Sequence, residues 1–126
     1  MTIKRNIDRI TIVTGAFDPI SIDDLLKLRT AKKNSNWLIV GVHSDNWVLH
    51  NTNALFNPYE DRRFVIENIK AVDEVFGYDD MANNDVQLVK AVRACYPGAE
   101  IVYVSDKPNQ ESPEARLKGV KLAYIK

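Results

Sequence analysis

The sequence predicts an α/β fold in three layers, α/β/α, with a five-stranded parallel sheet between helices. Three observations predict it. Short apolar, β-branched runs alternate with helical stretches along the chain, in the order β-α-β-α-β-α-β-α-β. The runs are apolar on both faces, the pattern of strands covered by helices on both sides. The chain has 126 residues, the size of one domain, and is 45% hydrophobic, enough for a core without disulfides or a structural metal. One domain over residues 1–126 is therefore expected, with no repeat, linker or low-complexity tract.

The elements follow in order. Ile10-Thr11-Ile12-Val13-Thr14 stops at Gly15 and reads as a buried strand ending in a tight turn. The next helix carries Ile22, Leu25, Leu26 and Leu28 mostly on one face, with Asp23, Asp24, Lys27 and Arg29 between them. It should end near Lys33-Asn34-Ser35-Asn36. Residues 37–42 form a second buried strand. Residues 43–58, rich in asparagine, read as a long irregular connector of the kind that is often functional. Pro58 suits the first turn of a helix in which Val65, Ile69 and Val72 repeat at helical spacing. Glu74-Val75-Phe76 is a third strand. Residues 86–96 form a helix with Leu88, Val89, Val92 and Tyr96 on one side, stopped by Pro97-Gly98. Residues 101–104 are a fourth strand, Ser112-Pro113 starts a short helix to Gly119, and residues 122–125 are a last strand. Such sheets take ligands beyond the carboxyl ends of the strands, at the switch in strand order. That puts residues 15–24, 43–53 and 105–111 beside any site.

Lysine plus arginine number 17, as do aspartate plus glutamate, so net charge gives no reason to expect nucleic-acid binding. The single cysteine, Cys95, sits in an apolar helical pattern and reads as a small buried hydrophobe rather than a nucleophile. The first six residues lead straight into a strand, with no signal-peptide core, and no apolar run approaches the ~18 residues of a membrane span. A cytoplasmic protein without membrane contact is expected.

Thr14-Gly15-Ala16-Phe17-Asp18-Pro19-Ile20 resembles the G-[TS]-F-D-[PL] opening of the cytidylyltransferase-like nucleotidyltransferases, the superfamily that includes glycerol-3-phosphate cytidylyltransferases. Val42-His43-Ser44-Asp45 is similar to that family's S-T-D after the second strand. Pro58-Tyr59-Glu60-Asp61-Arg62-Arg63 is similar to its Y-E-x-R helix start, and Lys70-Ala71-Val72-Asp73-Glu74-Val75 to its R-x-V-D-E-V ending. Beyond residue 80 the likeness rests on pattern. The resemblance implies a Rossmann-like sheet of the nucleotidyltransferase type, and transfer of CMP or AMP from CTP or ATP to a phosphorylated acceptor. Phe17-Asp18-Pro19 suits the adenylyl branches, and residues 59–75 lean toward the cytidylyl and heptose-type branches. It also implies a homodimer, and nucleotide-binding positions at Gly15, Ala16, Phe17, Asp18, Arg62, Lys70 and Asp106.

The family's engine is H-x-G-H at the start of the first helix, where imidazoles and a helix N-terminus stabilise charge on the transferred phosphates. Here that slot holds Ser21-Ile22-Asp23-Asp24. Both histidines are absent, a side chain replaces the glycine that lets phosphate approach the backbone, and two carboxylates stand where polyphosphate would dock. Ser21-x-x-Asp24 before an apolar run is instead a capping-box pattern. No lysine or arginine occurs between Lys33 and Arg62; Asn51 and Asn53 occupy positions where the family often has phosphate-gripping lysines. Ser105-Asp106-Lys107 lacks the glycine of the family's K-G-x-D, and the chain stops at Lys126 before the family's I-S-[ST]-T turn.

Two readings result. One is a degenerate relative acting as a binding or assembly module, with no catalytic residue, metal or cofactor, and with a second copy or another protein as partner. The other is an active enzyme with a rewired site in which Asp18, Asp23 or Asp24 holds Mg²⁺. Asp73 can pair with a nearby lysine, and Arg62-Arg63 can be a solvated helix face. His43 and His50 flank Asp45, but a seven-residue step across a loop is not a zinc-ligand spacing. Trp37 and Trp47 read as packing residues, although Trp47 lies beside the expected site.

Overall fold

A computed structural model describes residues 7–78, 85–105, 114, 117 and 119–124. The strands are β1 (Arg9–Gly15), β2 (Trp37–His43), β3 (Glu74–Tyr78), β4 (Glu100–Ser105) and β5 (Val120–Tyr124). The helices are α1 (Ile22–Lys33), α2 (Asp45–Thr52), α3 (Tyr59–Glu67) and α4 (Val86–Cys95). The expected short helix over 112–119 lies outside the described residues, apart from Glu114, Leu117 and Gly119.

The sheet is parallel throughout, in the order β3-β2-β1-β4-β5. The chain starts at the centre, builds outward through β2 and β3, then crosses back to β4 and β5. The order reverses between β1 and β4, which is the switch point. Ile12 marks the register there, opposite Ile39 on one side and Tyr103 on the other.

Paired residues share a face, so two cores follow from strand parity. Ile10, Ile12, Ile39, Ile101 and Tyr103 pack under Leu88, Val89 and Val92 of α4. Val13, Leu38, Val40, Val42 and Val104 pack under Leu28 and Ala31 of α1, Ile66 of α3, and Phe17. These are the three layers expected from the alternation. Among the described residues no helix is long and apolar enough to cross a membrane.

Four local expectations are corrected. On α1 only Leu28 of the apolar stripe is buried, with Ala31; Ile22, Leu25 and Leu26 are exposed. Periodicity fixes the direction of a helix face, not how far along the axis the sheet supplies a partner. On α3 the buried positions are Arg62 and Ile66, one turn apart, while Val65 is exposed. An arginine in a core position hid the true stripe, and Ile69 and Val72 belong to the turns after the helix. Residues 43–58 are not irregular throughout, because α2 occupies half of them. Ser44 caps α2 by accepting from the Trp47 N–H, and Asn53 ends it in a left-handed conformation, φ 63°. Cys95 is exposed, on the solvent side of α4.

Candidate functional site

The carboxyl edge of the sheet is built first by the turn after β1. Phe17 has φ 51° and a buried ring, and a Cβ on Gly15 would lie 2.9 Å from its Cζ. The space beside Gly15 is thus filled by Phe17 itself. Asp18 then accepts three hydrogen bonds, from the N–H groups of Phe56 (2.8 Å) and Asn57 (2.7 Å) and from Asn57 Nδ2 (3.2 Å). Burial works to raise its carboxyl pKa, but those donors and the Arg62 charge together hold it below the ordinary value. Its role in the structure is to clamp the β1 turn to the segment before α3.

Ser21 and Asp24 form the reciprocal cap their spacing predicts. Ser21 Oγ accepts from the Asp24 N–H at 3.1 Å, and Asp24 Oδ2 accepts from the Ser21 N–H at 2.9 Å. Asp23 and Asp24 lie in the first turn, at the positive end of the helix dipole. Two of the amides at this terminus, those of residues 21 and 24, therefore already have acceptors of their own.

Arg62, a nucleotide-binding position by resemblance with a solvated helix face as the alternative, is buried: its side chain is 1% exposed. Its Nε donates to the Asn57 carbonyl (3.0 Å), and Nη1 to the carbonyls of Ala16 (2.8 Å) and His43 (2.9 Å). Nη2 pairs with Asp45 (2.7 Å). One guanidinium thus joins the β1 turn, the end of β2, the start of α2 and the approach to α3, using the planar fork that lysine lacks. Asp73 accepts from Lys32 Nζ at 2.5 Å and from the Leu38 N–H at 2.7 Å, the lysine pairing expected for it. Lys70 is exposed, and Asp106 lies outside the described residues.

On the α4 face, sequence reading missed a buried polar layer. His43 and Tyr78 end β2 and β3, Thr14 lies one residue before the end of β1, and Tyr103 stands on β4 across the switch. Asp85, buried just before α4, accepts from Thr14 Oγ1 (2.8 Å), from the Tyr78 hydroxyl (2.5 Å) and from the Tyr103 hydroxyl. Burial, with the Asp85 carboxylate beside them, pushes the pKa of both tyrosines far up, so both stay protonated as donors. His43 Nε2 lies 3.4 Å from the Tyr78 hydroxyl, and its ring stacks on Trp47 at 3.6 Å between centroids. A Cβ on Gly41 would meet Leu88, Thr14 and Tyr78, so glycine there lets these side chains close together. The available signal was polar residues of one parity at the ends of otherwise apolar strands.

The carboxylates do not suit a metal. Asp18 and Asp24 turn their oxygens to main-chain N–H groups, and among the described residues no group of three His, Cys, Asp or Glu side chains could hold an ion. Two of the three carboxylates named for Mg²⁺, Asp18 and Asp24, thus already serve main-chain donors. His50 is exposed on α2, while His43 faces inward. Asn51 donates to the Trp47 carbonyl, and Asn53 is the helix cap, so both asparagines serve α2.

A family model described as cytidylyltransferase-like matches residues 12–123. The bifunctional protein HldE of a Nitratiruptor species is 31% identical over 103 residues, which are 75% of this chain and 22% of that protein. Glycerol-3-phosphate cytidylyltransferase of Bacillus subtilis (strain 168) is 31% identical over 64 residues, 51% of this chain and 50% of that enzyme. The chain thus matches about half the length of the second relative and about a fifth of the first. The crystal structure of the lipopolysaccharide core biosynthesis protein from Thermoplasma volcanium GSS1 has the same fold. Its TM-score is 0.71 at 22% identity, over 96% of this chain and 98% of that one.

Proposed function

The chain belongs to the cytidylyltransferase-like family, and on that premise we propose that it is a non-catalytic member serving as a binding or assembly module. The observation that carries this reading is the closed capping box at Ser21 and Asp24. Nucleotidyl transfer needs hydrogen-bond donors and positive potential where charge grows on the phosphates. In this chain the helix terminus offers two carboxylates and no imidazole, and its amides at 21 and 24 are already bonded. A phosphate oxygen about 4 Å from such a carboxylate is opposed by about 1 kcal/mol in water and about 4 kcal/mol at an effective dielectric of 20.

The test is direct. The purified chain with CTP or ATP, Mg²⁺ and glycerol 3-phosphate or another phosphorylated acceptor should release no pyrophosphate. Calorimetry with either nucleotide should show no heat of binding. Turnover that disappears in Asp24→Ala would overturn the reading in favour of a rewired nucleotidyltransferase.

The module's partner, on this reading, is a second copy or another protein. Ile22, Leu25, Leu26, Phe56 and Phe64 are exposed, more apolar surface than helix ends and turns need. Sedimentation should give a dimer, and a monomer at every concentration would remove the homodimer from the proposal. Cytoplasmic residence goes with it, because the exposed thiol of Cys95 suits a reducing compartment.

A further inference from the structure

The Asp85 cluster takes no part in the proposal above, and its chemistry is specific. Asp85 accepts three hydrogen bonds, all from hydroxyls, on three different strands: Thr14 of β1, Tyr78 of β3 and Tyr103 of β4. The residue stands at the N-cap of α4, yet its side chain does not cap the helix and turns to the sheet. Among the described residues no lysine or arginine pairs with it. Neutral hydroxyls and a nearby helix N-terminus converge on one carboxylate, the composition of an anion receptor. A buried carboxylate is costly unless its partners are in place.

The location adds a second argument. Thr14 and Tyr103 lie on the two strands that flank the switch point, where open α/β sheets take their ligands. We propose that Thr14, Tyr78 and Tyr103 form a carboxylate-binding cradle which the chain fills with its own Asp85, closing this side of the crevice with an internal ligand. The ligand class for the emptied cradle is a small monocarboxylate.

Asp85→Ala removes the carboxylate and leaves the three donors. Formate or acetate should raise the melting temperature of this variant by about 5 °C or more, saturably, against chloride at equal ionic strength. The wild type and Asp85→Asn, whose sites are filled, should not respond. Identical melting of Asp85→Ala in formate and chloride would overturn the proposal. Should that variant not fold, the native chain decides. Its proton NMR spectrum should hold two low-field hydroxyl resonances, one lost in Tyr78→Phe and the other in Tyr103→Phe. A folded wild type without them refutes the cradle.

Discussion

Replacing Arg62 with methionine keeps most of the apolar volume of the side chain and removes every polar contact of the guanidinium. Four hydrogen bonds disappear, to three main-chain carbonyls and one carboxylate. The bond to the His43 carbonyl is buried, and those to Ala16 and Asn57 are partly buried. A buried carbonyl left without a donor costs about 1–3 kcal/mol, and the partly buried ones recover some of that from water. Asp45 is 39% exposed and is rehydrated, so its share is small. Methionine offsets part of the loss by packing. The net is roughly 3–4 kcal/mol, within the range for breaking a buried pair. For 126 residues the unfolding entropy makes this about 12–15 °C in melting temperature. Arg62→Lys should lose about half as much, because an ammonium reaches one or two of the four acceptors. Thermal and urea unfolding followed by circular dichroism measures both. A methionine variant melting within about 3 °C of wild type would refute the reasoning, since Arg62 would then be dispensable to the fold.

Two further outcomes concern the same edge and the sheet behind it. Asp18→Asn should destabilise at neutral pH, and the gap to wild type should close on acidification. The folded carboxyl is held below its ordinary 3.8, so its contribution is present above that value and lost as pH falls through the folded pKa. Parallel stability-against-pH curves for the two proteins would contradict the clamp assigned to Asp18. Gly41→Ala drives a methyl into Leu88 and places it 3.1 Å from Thr14 and Tyr78. It should cost about 1–3 kcal/mol by overpacking, read as a lower urea midpoint at unchanged slope; an unchanged midpoint would mean this region is loosely packed.

The strands were legible because burial on both faces leaves only apolar, β-branched residues to choose from, and β1, β2 and β4 read that way. The cap at Ser21 and Asp24 was legible because its partners are three residues apart, within one turn. What was not legible depends on partners far apart in the chain. Arg62 meets Ala16 and His43 across 46 and 19 positions, and no local pattern separates a core arginine from a solvated one. Asp85 and Thr14 are 71 positions apart. The α2 helix failed for another reason: it buries only Val48, so it carries no apolar stripe, and its signals are the two caps. Cys95 misled because a helix that is apolar on average still has a wet side.

The same physics makes the degeneracy proposed for the motif testable from the opposite direction. A phosphate site leaves amides at a helix start open, and open amides cost stability that a ligand later restores. Ser21 and Asp24 close those at 21 and 24 instead. Rewriting the slot as Ser21→His, Asp23→Gly and Asp24→His removes the reciprocal cap, about 0.5–2 kcal/mol. It also adds a glycine to the first turn, at most about 1 kcal/mol. A loss of about 2 kcal/mol follows, roughly 7 °C for a chain of this length. If the box is what bars nucleotide, the triple variant should also gain measurable affinity for a triphosphate. Its stability should then rise with nucleotide concentration, while the wild type stays flat. A triple variant that loses stability yet stays blind to nucleotide would locate the barrier elsewhere on the carboxyl edge. The filled space beside Gly15 would then be the next position to open.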